Sequence, residues 1–249
     1  MAHYCRFEFQ GSSYFGEVQG EIVEALTAAP WQRGRPAGRS YRLADVRLLA
    51  PAEPSKIICV GRNYRDHAAE LGNPLPRQPL FFLKPPSSLI GPEDSVVYPQ
   101  ASQRVDFEGE LALIIGRRCR QPKPKESVLN YVFGFTCLND VTARDLQKAD
   151  GSFTRGKGFD TFCPLGPLVA TGLEPGRLKV ETFVNGTRRQ QGGVKEMIFP
   201  LDVIIRHIAA VMTLEAGDVI STGTPAGVGS LEVGDSVEVV IEGIGRLRN

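Results

Sequence analysis

The chain has 249 residues, of which 42% are hydrophobic and 23% charged, and its formal net charge is +1. These values are ordinary for a globular protein and exclude the strongly charged surface that binds nucleic acid or an anionic membrane. No apolar stretch approaches the ~20 residues of a membrane-spanning helix, and the first thirty residues lack a secretory signal. The five scattered cysteines form no CxxC pair, so we expect free thiols in a cytoplasmic protein.

Residues 1–53 are predicted to form a small β-rich appendage in front of the main domain. Within it, residues 4–9 and 14–26 have the composition of short strands joined by a turn. Proline and glycine then interrupt residues 28–40, and a second break follows shortly before the main domain begins. We therefore predict two parts, with the main domain at residues 54–249.

The main domain opens with an apolar run at residues 56–60, typical of a buried strand. A short helix is predicted after it, with Asn63 as its N-cap and Gly72 as the residue that stops it. His67 and Glu70 then lie three residues apart on one face, where the carboxylate can orient the imidazole as a general base. The alternative is a solvated helix face on which the two residues have no joint role.

Residues 106–115 begin with Asp-Phe-Glu-Gly-Glu and continue as an apolar run, which predicts a strand buried on both faces. Because side chains alternate along a strand, Glu108 and Glu110 would project side by side. Buried carboxylates are costly unless they are paired or bind a cation, and hard divalent cations such as Mg²⁺ prefer oxygen ligands. The alternative is that both glutamates end the strand at the solvent surface.

Two further polar residues are candidates for the same site. Asp140 follows a predicted buried strand at residues 131–138 and is either a third oxygen ligand or the N-cap of the next segment. Lys157 lies in a loop-like segment at residues 152–167. A lysine there is either solvated or neutralises an anionic substrate beside the carboxylates.

The last third of the chain is predicted to be mostly β. Residues 178–190 form a hairpin around an Asn-Gly turn, and residues 235–242 alternate as a strand. An amphipathic helix at residues 202–212 contains His207, which we interpret as structural because no acidic partner is close at helical spacing. The glycine-rich loop, residues 222–229, has no phosphate-loop sequence, but its amides and threonine hydroxyls can hold a carboxylate.

Five motifs in the same order resemble the fumarylacetoacetate hydrolase family over about residues 54–247. They are residues 60–64 with His67 and Glu70, the Glu108-Gly109-Glu110 strand, residues 140–145, Lys157, and residues 222–225. The likeness is to the short form of the family, the acylpyruvase and oxaloacetate decarboxylase branch. It implies a mainly β (α+β) fold, a mixed β-sandwich roll with short helices, and a homodimer.

The resemblance also implies the site residues. Mg²⁺ or Mn²⁺ would be held by Glu108, Glu110 and Asp140, the catalytic residues would be His67, Glu70 and Lys157, and the substrate contacts would be Arg62, Gln147 and Thr224. Residues 54–249 would then be the catalytic domain.

Three functions follow as hypotheses. The first is metal-dependent hydrolysis of a C–C bond in a 2,4-dioxo acid of the acylpyruvate or fumarylpyruvate type, with His67 deprotonating water and Lys157 stabilising the oxyanion. The second is metal-dependent decarboxylation of oxaloacetate or a related 2-oxo diacid, with tautomerisation or isomerisation through the same enolate as a close variant. The third is a non-catalytic carboxylate-binding module, which would not need a general base.

Overall fold

The computed structural model describes residues 1–72 and 74–249, and this part of the chain is mainly β. The strands are β1 (His3–Phe9), β2 (Ser12–Gln19), β3 (Ile22–Leu26), β4 (Pro36–Arg42), β5 (Arg47–Leu49), β6 (Ile57–Gly61), β7 (Leu80–Lys84), β8 (Leu89–Ile90), β9 (Val105–Phe107), β10 (Gly109–Ile115), β11 (Val132–Asn139), β12 (Thr142–Ala143), β13 (Cys163–Ala170), β14 (Lys179–Val184), β15 (Thr187–Gly193), β16 (Val219–Ser221), β17 (Gly229–Ser230), β18 (Val237–Ile241) and β19 (Gly245–Arg248). The α-helices are α1 (Arg65–Glu70), α2 (Arg144–Asp150), α3 (Thr154–Lys157) and α4 (Leu201–Val211).

One large sheet of twelve strands organises the molecule. Its path runs β4-β3-β2-β1-β13-β11-β10-β16-β6-β7, with β5 beside β1 and β8 beside β13. The pairs β16–β6 and β13–β8 are parallel, whereas the other pairs of this sheet are antiparallel. Every residue of β10 is buried, because layers of the protein cover both faces at the centre of the sheet.

The first five strands extend this sheet and do not form a sheet of their own. Strand β1 joins the rest through β13, where His3 pairs with Ala170. Strand β4 begins within the segment that we predicted to be interrupted. Its proline, Pro36, is the first residue of an edge strand, where a missing N–H costs no ladder hydrogen bond. The division near residue 53 therefore stays a prediction.

A second sheet, in the order β15-β14-β18-β19, packs across the centre of the large one. Leu111 and Leu113 of β10 share one apolar core with Val180 of β14 and Val239 of β18. Helix α4 adds its apolar face to the same core, as the predicted amphipathic helix requires. The predicted β14–β15 hairpin is also confirmed, with its Asn-Gly turn in the left-handed region.

Helix α1 forms where the sequence predicts it, but Asn63 does not cap it. Tyr64 occupies the N-cap position, and the buried Asn63 side chain instead donates to the Thr222 carbonyl at 2.8 Å and accepts from the Phe199 amide at 2.8 Å. These bonds tie the start of α1 to two distant segments. Gly72 has a φ of +65°, as expected for the residue that stops the helix.

Two local predictions around the site are wrong. The strand predicted at residues 106–115 is divided into β9 and β10, with Glu108 between them. Strand β9 belongs to a separate small sheet, β12-β9-β17, so the chain changes sheets at Glu108. Residues 152–167 are also not a loop. Helix α3 ends at Lys157, and β13 begins soon afterwards.

The helices of the described residues are short, and not one of them has the length and apolar character needed to cross a membrane. All five cysteines are buried free thiols.

Candidate active site and metal centre

A cavity of ≈ 590 Å³ opens between α1, the start of β10 and helices α2 and α3. All the residues that we predicted for the site line it, namely Arg62, His67, Glu70, Glu108, Glu110, Asp140, Gln147, Lys157 and Thr224. The candidate residues, although far apart in the sequence, therefore face one space.

Three carboxylates form one wall of the cavity. Oxygen atoms of Glu108, Glu110 and Asp140 lie within 4.8 Å of one another, and all three residues are buried. Pairing of β10 with β11 produces this cluster, because Gly109 lies opposite Asn139 and so places the neighbouring acids together. The solvent-surface alternative for the glutamates is wrong, and Ala143, not Asp140, occupies the N-cap position of α2.

Protein groups hold the backbone between the two glutamates closely. The Glu108 N–H donates to the Asn139 side chain at 2.9 Å, and the Gly109 N–H donates to the Gln190 side chain at 2.9 Å. A Cβ atom at Gly109 would lie 2.0 Å from the Thr182 hydroxyl on β14. Glycine is therefore required where the first sheet packs against the second.

Two lysines reach into the carboxylate cluster. Lys157 Nζ donates to Glu108 Oε2 at 2.7 Å and to Asp140 Oδ2 at 2.5 Å. Lys84 Nζ donates to Asp140 Oδ1 at 2.6 Å and to the Val141 carbonyl at 3.1 Å. The solvated alternative for Lys157 is wrong, because only 2% of the residue is exposed. Lys84 was not assigned to the site from the sequence. The one feature that could have indicated it is its position at the end of the apolar strand β7.

Arg144 is a second residue that sequence reasoning did not assign to the site. Its Nε donates to Asp106 Oδ2 at 2.8 Å, its Nη2 donates to Glu108, and its Nη1 donates to Gln147 at 2.8 Å. Asp106 also accepts from Arg104 at 2.8 Å. Buried charges thus continue from the carboxylate cluster to the protein surface.

The two arginines bound to Asp106 should differ in their effects on stability. Arg144→Ala is expected to lower the free energy of unfolding by roughly 3–5 kcal/mol, because it leaves Asp106 and Glu108 buried without that partner. Arg104→Ala should cost at most about 1 kcal/mol, since the Arg104 side chain is 49% exposed, against 4% for Arg144. Urea unfolding of both variants in EDTA measures this, and equal losses would contradict the assignment.

The surrounding charges shift the pKa values of the two glutamates in opposite directions. Burial alone would raise the pKa of Glu108, but the charges of Lys157 and Arg144 outweigh it and hold that pKa well below its usual range. Burial raises the pKa of Glu110, and the Asp140 carboxylate raises it further, against the hydrogen bond from Ser221.

Glu110 is the carboxylate with a place left for a cation. Its Oε2 accepts from the Ser221 hydroxyl and, at 2.7 Å, from the Gly223 N–H. It forms no ion pair with a lysine, arginine or histidine of the described residues. A buried carboxylate of this kind needs positive charge, and three adjacent carboxylates are the oxygen ligands that a hard divalent cation prefers. Glu108, Glu110 and Asp140 therefore fit such an ion.

The predicted dyad lines the same cavity as the carboxylates. His67 Nδ1 is 3.3 Å from Glu70 Oε2, and His67 is 4% exposed whereas the Glu70 side chain is 33% exposed. The alternative of a fully solvated helix face is therefore wrong for His67. Since Nδ1 faces Glu70, Nε2 is the ring nitrogen that is available to the cavity.

The three predicted substrate contacts differ in their surroundings. Arg62 is half-buried, has a φ of +59°, and forms no ion pair with any residue that the structure describes. Gln147 is held by Arg144. The Thr224 hydroxyl donates to Gly109 and accepts from Gln190, so protein groups already satisfy it. Their roles toward a substrate stay predictions.

The fold and the site together define a mainly β protein in which three buried carboxylates, suited to a divalent cation, line a cavity that also contains several basic side chains. A family model described as "Fumarylacetoacetate (FAA) hydrolase C-terminal" matches residues 56–249, and one described as "Rv2993c-like, N-terminal" matches residues 2–51. The chain belongs to the fumarylacetoacetate hydrolase family, which confirms the resemblance found in the sequence.

Three relatives illustrate the similarity. Protein Rv2993c of Mycobacterium tuberculosis is 47% identical over 245 residues, which cover 94% of this chain and 92% of that protein. Oxaloacetate tautomerase YisK of Bacillus subtilis is 46% identical over 224 residues, covering 84% of this chain and 74% of YisK. The crystal structure of 5-carboxymethyl-2-hydroxymuconate delta-isomerase from Mycobacterium smegmatis superposes with a TM-score of 0.93 at 41% identity, covering 100% and 98% of the two chains. The predicted mainly β fold is thereby confirmed.

Proposed function

We propose that the protein is a metal-dependent tautomerase of oxaloacetate or of a related 2-oxo dicarboxylic acid. The observation that carries the proposal is that the His67–Glu70 dyad, whose imidazole is buried, lines the same cavity as the carboxylate trio. Moving a proton between carbon and oxygen of one substrate requires a base placed beside a group that stabilises an enolate. The similarity to YisK, whose name gives this reaction, supports it.

His67 would move the proton. Glu70 holds Nδ1, so Nε2 takes a proton from the carbon next to the 2-oxo group and returns it to the oxygen, giving the enol; the reverse sequence gives the ketone. A bound divalent cation supplies Lewis-acid stabilisation of the enolate charge. Lys157 adds a fixed positive charge, because the Asp140 and Glu108 carboxylates outweigh burial and raise its pKa.

The basic side chains of the cavity favour a dianionic substrate. Arg62 and Lys148 line it, and neither forms an ion pair with a described residue. Arg62 is half-buried and Lys148 exposed, which places them toward the opening. They can bind the second carboxylate of a 2-oxo diacid by charge-assisted hydrogen bonds.

We propose Mg²⁺ or Mn²⁺ as the cation, because a set of three carboxylates suits both. The homodimer and the cytoplasmic location stay predictions.

Hydrolysis of a 2,4-dioxo acid is the second candidate. The same dyad favours it, because a histidine oriented by a carboxylate can also deprotonate water. Decarboxylation of oxaloacetate needs the enolate stabilisation but no base, so the dyad favours it least.

Three substrate assays separate these reactions. The Mg²⁺-loaded protein is first given oxaloacetate, and the loss of the enol absorbance and the formation of pyruvate are followed in separate assays. In the third assay it is given acetylpyruvate, and the release of acetate and pyruvate is followed. We expect faster enol–ketone exchange that EDTA abolishes. Pyruvate from oxaloacetate without faster exchange would make the protein a decarboxylase, and cleavage of acetylpyruvate as the main activity would make it a hydrolase.

A further inference from the structure

The glycine-rich loop contacts both halves of the site. Near its start, the Gly223 N–H donates to Oε2 of Glu110 at 2.7 Å. Four residues later, the Gly227 N–H donates to the Glu70 carboxylate, 3.1 Å from Oε1 and 3.2 Å from Oε2. One loop therefore holds a carboxylate of the metal centre and also the carboxylate that orients His67.

The backbone at Gly227 has little freedom to move. Its φ is +100°, and a Cβ atom there would lie 2.0 Å from the Arg189 carbonyl oxygen and 3.0 Å from the Arg189 carbonyl carbon. Only glycine combines this conformation with such a close approach to β15. The Gly227 N–H is thus directed by packing of the loop against the second sheet.

Side-chain hydrogen bonds fasten the same loop to β15. Gln190 Nε2 donates to the Thr224 hydroxyl at 2.7 Å and to the Pro225 carbonyl at 2.8 Å, and Gln190 is 1% exposed. Glu70, in contrast, ends a helix of six residues, and its side chain is partly solvated. In the hydrogen bond between the Gly227 N–H and Glu70, the glycine-rich loop is therefore the rigid partner, and the Glu70 side chain is the partner that is oriented.

We propose that Gly227 is a positioning residue, whose N–H orients Glu70 and, through Glu70, the imidazole of His67. Gly227, Glu70 and His67 then form a chain of three groups, in which a backbone amide orients a carboxylate and the carboxylate orients an imidazole ring. Without the amide, the Glu70 side chain would sample other rotamers in solvent, and fewer molecules would present Nε2 of His67 to the substrate. This inference rests on the proposed role of His67 as the base.

Amide hydrogen exchange tests the contact without any substrate. In the metal-loaded Glu70→Ala protein, exchange of the Gly227 amide is expected to accelerate about tenfold, the equivalent of one hydrogen bond. The Gly223 amide, bound to Glu110, should exchange as before. An unchanged Gly227 rate would overturn the proposal, whereas failure of the proposed function would leave this result untouched.

A double-mutant cycle tests the consequence for catalysis. Gly227→Ala is expected to lower kcat about tenfold in the native background but less than about twofold in the Glu70→Ala background, because both changes remove the same contact. Gly234→Ala is the matched control, since Gly234 has a φ of +97° and no atom within 4 Å of a Cβ atom, and it should leave kcat unchanged. Equal losses in the two backgrounds, or the same loss in the control, would overturn the proposal.

Discussion

Glu110→Gln is expected to abolish tight binding of the divalent cation without unfolding the protein. The change removes one of three carboxylate ligands, so metal affinity should fall more than ~100-fold, beyond the roughly 10–100-fold effect of outer-shell partners. The free energy of unfolding in EDTA should stay the same or rise. Glu110 is buried without a cation partner among the described residues, and a neutral amide removes the cost of that charge.

Asp140→Ala is the contrasting variant. It also removes a ligand, but it leaves Lys84 and Lys157 buried with less compensating charge, so we expect a loss of roughly 3–5 kcal/mol in stability. Mn²⁺ titration followed by electron paramagnetic resonance measures affinity, and urea unfolding in EDTA measures stability. A Glu110→Gln protein that binds Mn²⁺ as the native protein does would exclude this metal centre.

His67→Ala is expected to lower kcat by about 10²-fold to 10⁴-fold, the usual contribution of a general base. Mn²⁺ affinity should change little, because His67 Nδ1 is directed to Glu70 and His67 is not one of the three carboxylates that would hold the ion. The measurement is the rate of enol–ketone exchange in excess metal, from which the rate without protein is subtracted.

His207→Ala is the control for the loss of a histidine. His207 lies on α4, with its ring centroid 5.9 Å from that of Phe81, and it does not line the cavity. Its replacement should leave the exchange rate within about twofold, as for a change remote from the chemistry. If His67→Ala and His207→Ala behaved alike, His67 would not be the base.

Much of this protein could be predicted from the sequence because the signals are local. Apolar runs located β6 and β11 to within about two residues, and an Asn-Gly pair located the β14–β15 hairpin. The candidate residues all line one cavity. The chemistry of Glu108, Glu110 and Asp140 could be anticipated from their residue types, whereas Arg62, Gln147 and Thr224 came from the resemblance to the family. His67 and Glu70 depend only on the spacing within one helical turn.

Only the tertiary structure decided which charges meet. Lys84 reaches Asp140 across 56 positions, Arg144 reaches Glu108 across 36, and Gly227 reaches Glu70 across 157. No local pattern reports such pairs, because each joins segments that are distant in the sequence and meet only in the folded chain. Tertiary packing also divides β9 from β10 and buries Lys157, both against the local expectation. The sequence thus determined which groups are available, and long-range packing determined how they are paired.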